Sequence, residues 1–260
     1  MTRSSLARTF GAVLALLALL VPVAGCGGDE GSPAGEKTTV TVLAAASLTD
    51  AFGDVRTAYA AEAPDVTLRF SFAGSQELAA QVRAGSPADV IATADEKTMN
   101  GLTDHVSDPR PFVTNRLAIV VGKGNPEKIA TLADLAKPEL KVVLAGPTVP
   151  AGRYARQILK KADVTVKPKS EATDVRQVIT PVRLGEADAG IVYVTDITAA
   201  GAEVEAVAIP TEQNLVATYP VATVKDSKNA DAAKAFTTWL HGADAKTIFD
   251  KNGFGDPTES

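Results

Sequence analysis

Five short stretches of this chain each end an apolar run and begin a new segment with small, hydroxyl-bearing or glycine residues. They are residues 44–47, 72–75, 149–152, 173–176 and 190–193. The first four are typical of helix N-termini, where backbone N–H groups are free and the positive end of the helix dipole attracts anions. A fold that brings these stretches together would hold an oxyanion with uncharged donors.

The first 26 residues are predicted to be a lipoprotein signal peptide. Arg3 and Arg8 make its start positive, and the apolar run at residues 10–21 is too short to span a bilayer. The sequence Val-Ala-Gly-Cys that ends at Cys26 resembles a bacterial lipobox, in which the cysteine is lipidated and becomes the mature N-terminus. The alternative is an ordinary secretory signal with an incidental cysteine. Residues 27–38 are rich in glycine and are predicted to be a flexible tether.

The charge balance argues against nucleic acid as a partner. The chain carries 26 basic and 31 acidic residues. Without the signal peptide and its two arginines, 24 basic residues remain against 31 acidic ones, a net charge of −7. Such a surface repels polyanions, whereas a single small anion responds mainly to the dipoles around its own site.

Strand and helix patterns alternate along the first part of the mature chain. Residues 39–44, 66–72 and 90–92 are predicted strands, because they are apolar or alternate between apolar and polar side chains. Ser47 and Ser75 are predicted to N-cap the helices that follow the first two strands. This repetition is typical of a parallel sheet covered by helices.

The same alternation begins again after residue 114. Further strands are predicted at residues 117–121, 141–144, 191–194 and 216–224. Helices are predicted to begin at residues 151 and 174, and the helix at residues 230–240 is predicted to close the chain. The sequence therefore predicts an α/β protein of two units, the second inserted in the first. Lobe I would comprise residues 39–113 and 218–260, and lobe II residues 114–217.

Five motifs that occur in order carry a family resemblance. They are AAASL at 44–48, SPAD at 86–89, VPAG at 149–152, DVR at 174–176 and GEADAGIVY at 185–193. Together they resemble the molybdate-binding lipoprotein or periplasmic component of ABC importers, a type II periplasmic-binding-protein family, over nearly all of residues 39–255. The resemblance implies two lobes, each a mainly parallel sheet flanked by helices. Two crossover strands near 114–122 and 216–224 would act as a hinge, with the oxyanion in the cleft between the lobes.

The resemblance also implies the ligand-binding residues. The two serine ligands of the family fall on Ser47 and Ser75, its backbone N–H donors on Ala151 and Val175, and its phenol donor on Tyr193. These groups would hold molybdate or tungstate through the oxygens of the anion, with no direct metal ligand and no cofactor. The implied partners are the permease and ATPase subunits of an ABC importer. The protein would be an extracytoplasmic monomer, anchored to the membrane by the lipid on Cys26.

A donor-only site fits a fully deprotonated dianion. Several N–H and O–H donors can hold such an anion without lysine or arginine, and each charge-assisted hydrogen bond contributes about 1.5–3 kcal/mol. Phosphate at neutral pH keeps a proton, which would face another hydrogen in this site. Sulfate carries the same charge as molybdate, so only the size of the cleft can exclude it. Gly74, Gln76 and Thr173 depart from the family pattern beside these donors.

Two other interpretations stay open. One is a binding protein for sulfate or another tetrahedral oxyanion. The other is a secreted α/β hydrolase with Ser47 or Ser75 as its nucleophile, and this interpretation lacks an evident base. His105 and His241, the two histidines, both lie in polar, loop-like sequence that is typical of a solvated surface. The adjacent acids at residues 95–96 are predicted to be a solvated helix start.

Overall fold

The computed structural model of the protein describes residues 37–259, so the predicted signal peptide, Cys26 and most of the tether lie outside the described residues. Within this range there are nine strands: β1 (Thr38–Ala45), β2 (Val66–Ala73), β3 (Val90–Ala92), β4 (Val106–Gly122), β5 (Val142–Ala145), β6 (Ser170–Ala172), β7 (Ala189–Tyr193), β8 (Val204–Ala208) and β9 (Val216–Val224). No helix within residues 37–259 has both the length and the apolar character needed to cross a membrane.

Eight α-helices lie in the same range: α1 (Thr49–Glu62), α2 (Ser75–Arg83), α3 (Glu96–Asn100), α4 (Pro150–Lys161), α5 (Arg176–Arg183), α6 (Val194–Ala200), α7 (Ala230–Trp239) and α8 (Ala243–Lys251). Short 3-10 helices occur at Ala46–Leu48, Leu132–Ala136, Gly201–Glu203 and Pro257–Glu259. The prediction of an α/β protein is confirmed.

The strands form one mixed sheet in the order β2-β1-β3-β9-β4-β7-β5-β6, with β8 also paired to β4. On one side β1 is parallel to β2 and β3, and β9 is antiparallel to β3. On the other side β5 is parallel to β6 and β7. We call β1–β3 and β9, with α1–α3, α7 and α8, the first half. The second half comprises β5–β8 and α4–α6.

Strand β4 belongs to both halves. As far as Arg116 it pairs antiparallel with β9, and from Leu117 onward it pairs with β7 and β8. Asn214 contacts β4 where its pairing changes from β9 to β7 and β8. The Nδ2 of Asn214 donates to the carbonyl oxygen of Leu117 at 2.8 Å. Sequence analysis identified only the apolar part of this 17-residue strand. The division into lobes at 113/114 and 217/218 stays a prediction.

The parallel strands of each half end towards the region where the site lies. In the first half β1, β2 and β3 share one direction, and in the second half β5, β6 and β7 do so. In open α/β sheets, ligands bind beyond the carboxyl ends of such strands. The segments that follow these six strands are therefore the ones that can surround a ligand.

An aromatic cluster fills the core of the first half. The ring of Phe52 in α1 lies with its centroid within 6.5 Å of the rings of Phe70, Phe72, Phe112 and Phe249. Phe249 belongs to α8, so the prediction that the helix at 230–240 closes the chain was wrong. Helix α8 is short, and its apolar side consists of Ala245, Ile248 and Phe249.

Candidate functional site

All five residues that the resemblance singled out line one small cavity between the two halves. Ser47 and Ser75 reach it from the first half, and Ala151, Val175 and Tyr193 reach it from the second. The cavity is small: the space open to the centre of a water-sized sphere is about 10 Å³, about what one water molecule needs. It has no room for a sugar or a peptide.

Ser47 lies in the 3-10 helix Ala46–Leu48, which follows β1. The predicted N-cap role was wrong, because Leu48 occupies the cap position of α1 and the Ser47 hydroxyl makes no capping bond. The hydroxyl instead meets the hydroxyl of Tyr219 on β9, with 2.9 Å between the oxygens. A partner 172 positions away has therefore displaced the local capping bond.

Ser75 is the first residue of α2, and the predicted N-cap role was wrong here as well, since Gly74 occupies the cap position. The Ser75 hydroxyl oxygen accepts the backbone N–H of Ala94, which follows β3, at 3.0 Å. Ser75 is 2% exposed, so this bond fixes its side chain beside the cavity. Because the oxygen is occupied as an acceptor, the hydroxyl proton is free to be donated.

Ala151 offers a backbone donor at the start of α4. Pro150 stands at the first helical position and has no N–H, and the first intrahelical bond runs from Arg153 to the carbonyl of Val149. The N–H groups of Ala151 and Gly152 therefore have no acceptor within the helix. These two amides lie at the positive end of the helix dipole, an arrangement that is able to bind an anion.

Gly152 allows α4 to approach strand β5 closely. A Cβ atom on Gly152 would lie 2.0 Å from the carbonyl oxygen of Gly146 and 2.3 Å from that of Ala145. Any larger residue would push the helix start away from the end of the strand. The glycine therefore positions the Ala151 amide at the cavity through packing rather than through a turn.

Val175 precedes α5 and offers the second backbone donor of this half. It is 4% exposed and lines the cavity. Its neighbour Asp174 accepts the N–H of Gln177 at 3.1 Å and the side-chain amide of Gln177 at 2.7 Å. The carboxylate of Asp174 is thereby turned to the helix start, as the sequence predicts for a capping residue.

Tyr193 ends β7 and is completely buried. Within residues 37–259 its hydroxyl has no hydrogen-bond partner, which is costly for a buried polar group. Burial also raises the pKa of Tyr193 well above its usual value, so the hydroxyl keeps its proton. An uncompensated O–H donor thus lies in the wall of the cavity.

Charged and polar side chains join the two halves around the cavity. Arg153 of α4 pairs with Asp95 and donates to the hydroxyl of Thr98 at 3.0 Å. Arg176 of α5 pairs with Asp50 of α1. Asp95 also caps α3 by accepting the N–H of Thr98, and it is 2% exposed. The prediction of a solvated helix start at Asp95 was therefore wrong.

Gln76, one of the residues that depart from the family pattern, adds a third contact between the halves. Its side-chain amide donates to the carbonyl oxygen of Thr173 at 2.9 Å. Sequence analysis missed this bond and both arginine pairs, because the partners lie between 58 and 126 positions apart. No local pattern connects such residues.

A buried carboxylate lies behind Tyr193. Asp196 of α6 accepts the N–H of Tyr193 at 3.2 Å, and its other oxygen lies 3.6 Å from Nε of Arg176. Desolvation by burial raises the pKa of Asp196 to about 7, and the charge of Arg176 offsets only part of this effect. Asp196 thus changes its charge near neutral pH, close to the cavity.

Comparison with known families settles the class of this protein. The sequence profile of the family described as bacterial extracellular solute-binding protein matches residues 40–255. The chain belongs to this family. Among relatives of the solute-binding protein is the molybdate-binding protein ModA of Mycobacterium tuberculosis strain H37Rv, 36% identical over 253 residues, which cover 95% of this chain and 97% of the relative.

Solved structures share the fold of this solute-binding protein. The periplasmic molybdate-binding protein of Azotobacter vinelandii superposes with a TM-score of 0.74 at 20% identity, covering 84% of this chain and 99% of that one. The sulfate-binding protein SubI of Mycobacterium tuberculosis superposes with a TM-score of 0.77 at 23% identity, covering 85% and 87%. The predicted periplasmic-binding-protein fold is confirmed. These identities establish the fold alone.

Proposed function

We propose that this solute-binding protein captures molybdate, and tungstate with it, in the cavity between the two halves and delivers it to an ABC importer. The observation that carries the proposal is the convergence of Ser47, Ser75, Ala151, Val175 and Tyr193 on one cavity. A relative that is 36% identical over nearly its whole length and is named molybdate-binding supports the same ligand.

The chemistry of the cavity supports a fully deprotonated anion. Its described lining residues include no lysine, arginine or histidine, and their one acid, Asp174, is bonded to Gln177. The charge of the ligand would therefore be met by hydroxyl and amide donors. The Tyr193 hydroxyl would gain an acceptor from such a ligand. Hydrogen phosphate would bring its own proton to a wall of donors, which disfavours it.

Calorimetric titration of the chain from residue 27 onward tests this proposal. We expect molybdate and tungstate to bind more tightly than sulfate, and sulfate more tightly than phosphate. Tightest binding of sulfate would support the alternative, a binding protein for another tetrahedral oxyanion. An absence of heat with all four anions would refute the oxyanion site.

We propose that capture closes the two halves around the anion, with β4 and β9 as the crossover strands of the hinge. Ser47 and Ser75 approach from one half and the other three donors from the second half. Neither set alone surrounds a tetrahedral ion, so the bound anion favours the closed arrangement. Small-angle scattering should give a smaller radius of gyration with molybdate than without it. Equal radii in a sample with proven binding would exclude closure.

We further propose that Cys26 carries the lipid that anchors the protein to the membrane as a monomer. The lipobox and the glycine-rich tether support this anchor. Cys26→Ala should release the protein into the medium or leave it uncleaved. A variant that stayed on the membrane at its mature size would place the anchor elsewhere.

We propose that the protein is not a hydrolase. Neither His105 nor His241 lines the cavity that contains Ser47 and Ser75. His241 instead meets the carbonyl oxygens of Thr237 and Pro111 at 2.8 and 3.0 Å. A panel of simple esters should show no turnover above buffer, and turnover that is lost in Ser47→Ala or Ser75→Ala would reverse this conclusion.

A further inference from the structure

The hydroxyl of Ser47 can turn either its proton or a lone pair to the cavity. Which of the two it turns depends on whether it accepts or donates in the hydrogen bond behind it. Ser47, Tyr219 and Asn115 are 3%, 0% and 3% exposed, and they form a chain that leads away from the cavity into the sheet. A hydroxyl can donate or accept. The chemistry of the group at the far end of the chain therefore decides the role of each hydroxyl along it.

Asn115 on β4 is the group at the far end, and its orientation is fixed by the backbone. Its Oδ1 accepts the N–H of Arg116 at 2.9 Å, so the oxygen of the amide must face that N–H. The amide nitrogen therefore faces the other way, 2.8 Å from Oγ1 of Thr195 and 3.5 Å from the hydroxyl oxygen of Tyr219. An amide NH₂ group can only donate.

Tyr219 accepts a hydrogen bond from Asn115 and donates one to Ser47. The tyrosine oxygen receives a proton from Asn115, and its two hydroxyl neighbours are Ser47 and Tyr193. Only Ser47, with its Oγ 2.9 Å away, makes a hydrogen bond with it, so the proton of Tyr219 is directed to Ser47. Burial raises the pKa of Tyr219 well above its usual value, so this proton stays on the tyrosine. The oxygen of Ser47 is then occupied as an acceptor, and its own proton points to the cavity.

We propose that Tyr219 and Asn115 are positioning residues that make Ser47 an obligate donor, and that this selects fully deprotonated oxyanions over protonated ones. The inference rests on the proposed oxyanion function and deepens it. Ser75 is also a donor to the cavity, because its oxygen accepts the backbone N–H of Ala94. In both serines the bond from behind engages a lone pair, so each hydroxyl turns its proton to the cavity, where it would face the proton of hydrogen phosphate.

We call the hydrogen-bond chain from Asn115 through Tyr219 to Ser47 the relay. Tyr219→Phe breaks this relay and keeps the aromatic ring. Its matched control is Tyr59→Phe, which removes another buried tyrosine hydroxyl from the first half, beside Phe236 and Trp239 and away from the cavity. We expect Tyr219→Phe to weaken molybdate binding about tenfold while hydrogen phosphate binding is unchanged or tighter. The ratio of the two affinities should fall at least tenfold. An equal loss for both anions would show a merely structural role and overturn the inference.

Asn115→Asp reverses the direction of the relay. The introduced carboxylate can only accept when ionised, so Tyr219 would donate to it and Ser47 would turn a lone pair to the anion. As the pH rises through the pKa of the introduced group, molybdate affinity should then fall at least tenfold more than in the wild type, in which Asp196 has a pKa of about 7. In the double variant with Tyr219→Phe this pH dependence should shrink to less than half.

The double variant separates the relay from direct repulsion between the new charge and the anion. If molybdate affinity in the double variant depended on pH as strongly as in Asn115→Asp alone, the cause would be direct repulsion between the new carboxylate and the anion. That result would overturn the relay. A wild type that binds no molybdate would instead refute the proposed function itself. The two failures are therefore distinguishable in the same set of titrations.

Discussion

The two halves line the same cavity with residues of different kinds. In the proposed site the first half would donate the hydroxyls of Ser47 and Ser75, each fixed by a hydrogen bond from behind. The second half would donate the backbone amides of Ala151 and Val175, together with the hydroxyl of Tyr193, which has no partner within residues 37–259. A side-chain donor can be deleted by many single substitutions, whereas a backbone N–H is removed only by proline. Substitutions should therefore affect binding most directly in the first half and the fold most directly in the second.

The largest effect is expected from deleting both hydroxyls of the first half. Ser47→Ala with Ser75→Ala should weaken molybdate binding by about 3–6 kcal/mol, since each charge-assisted bond contributes about 1.5–3 kcal/mol. The free energy of unfolding without ligand should also fall, by about 1–3 kcal/mol for each buried group that loses its partner, namely the N–H of Ala94 and the hydroxyl of Tyr219. Calorimetry and denaturant unfolding measure the two quantities. Unchanged affinity in the double variant would refute the assignment of both serines.

The second half should instead show a pH effect on stability through Asp196. Its pKa is about 7 in the folded protein and about 3.9 when unfolded. Between these values the folded state holds a proton that the unfolded state has lost, so stability falls as the pH rises through this window. The difference amounts to at most about 4 kcal/mol between pH 4 and pH 8.

Asp196→Asn should flatten this dependence, as measured by denaturant unfolding at several pH values. The control is Asp50→Asn, which removes the half-exposed partner of the same Arg176. Because the charge of Asp50 raises the pKa of Asp196, this variant should keep the pH dependence but shift it to lower pH. Identical profiles for the wild type and Asp196→Asn would show that Asp196 titrates normally.

Tyr193 is the one side-chain donor proposed in the second half, so it can be compared directly with the two serines of the first half. Tyr193→Phe should weaken molybdate binding by about 1.5–3 kcal/mol, as for each serine. The free protein should be as stable as the wild type or more stable, because the lost hydroxyl has no partner within residues 37–259. Weaker binding accompanied by a clear loss of stability would contradict this account of the hydroxyl.

The smallest effects are expected from two glycines in helices. Gly152→Ala places a methyl group 2.0 Å from the carbonyl oxygen of Gly146, and such overpacking costs about 1–3 kcal/mol. Gly53→Ala in α1 meets no atom within 4 Å and should stabilise the fold by about 0.5–1 kcal/mol. Thermal unfolding of both variants gives the comparison. A stabilised Gly152→Ala variant would show that α4 can move without cost.

Much of the fold and the position of the site could be predicted from local sequence. The alternation of apolar strands and helix starts indicated the α/β class, because strand and helix periods are encoded within a few residues. The resemblance carried by five motifs placed Ser47, Ser75, Ala151, Val175 and Tyr193, and these residues line one cavity. Positions at the ends of strands are local features, so the sequence determined them.

The direction of the donors was decided by the tertiary structure alone. Ser47 and Ser75 look like N-caps in the sequence, yet their hydroxyls bond to Tyr219 and to the N–H of Ala94. The burial of Asp95 and Asp196 likewise depends on Arg153, Arg176 and the elements packed around them. A hydroxyl or a carboxylate bonds to whichever partner the fold brings within reach, and those partners lie on other strands and helices. Sequence periodicity describes which side of an element is buried, but not what that side will meet.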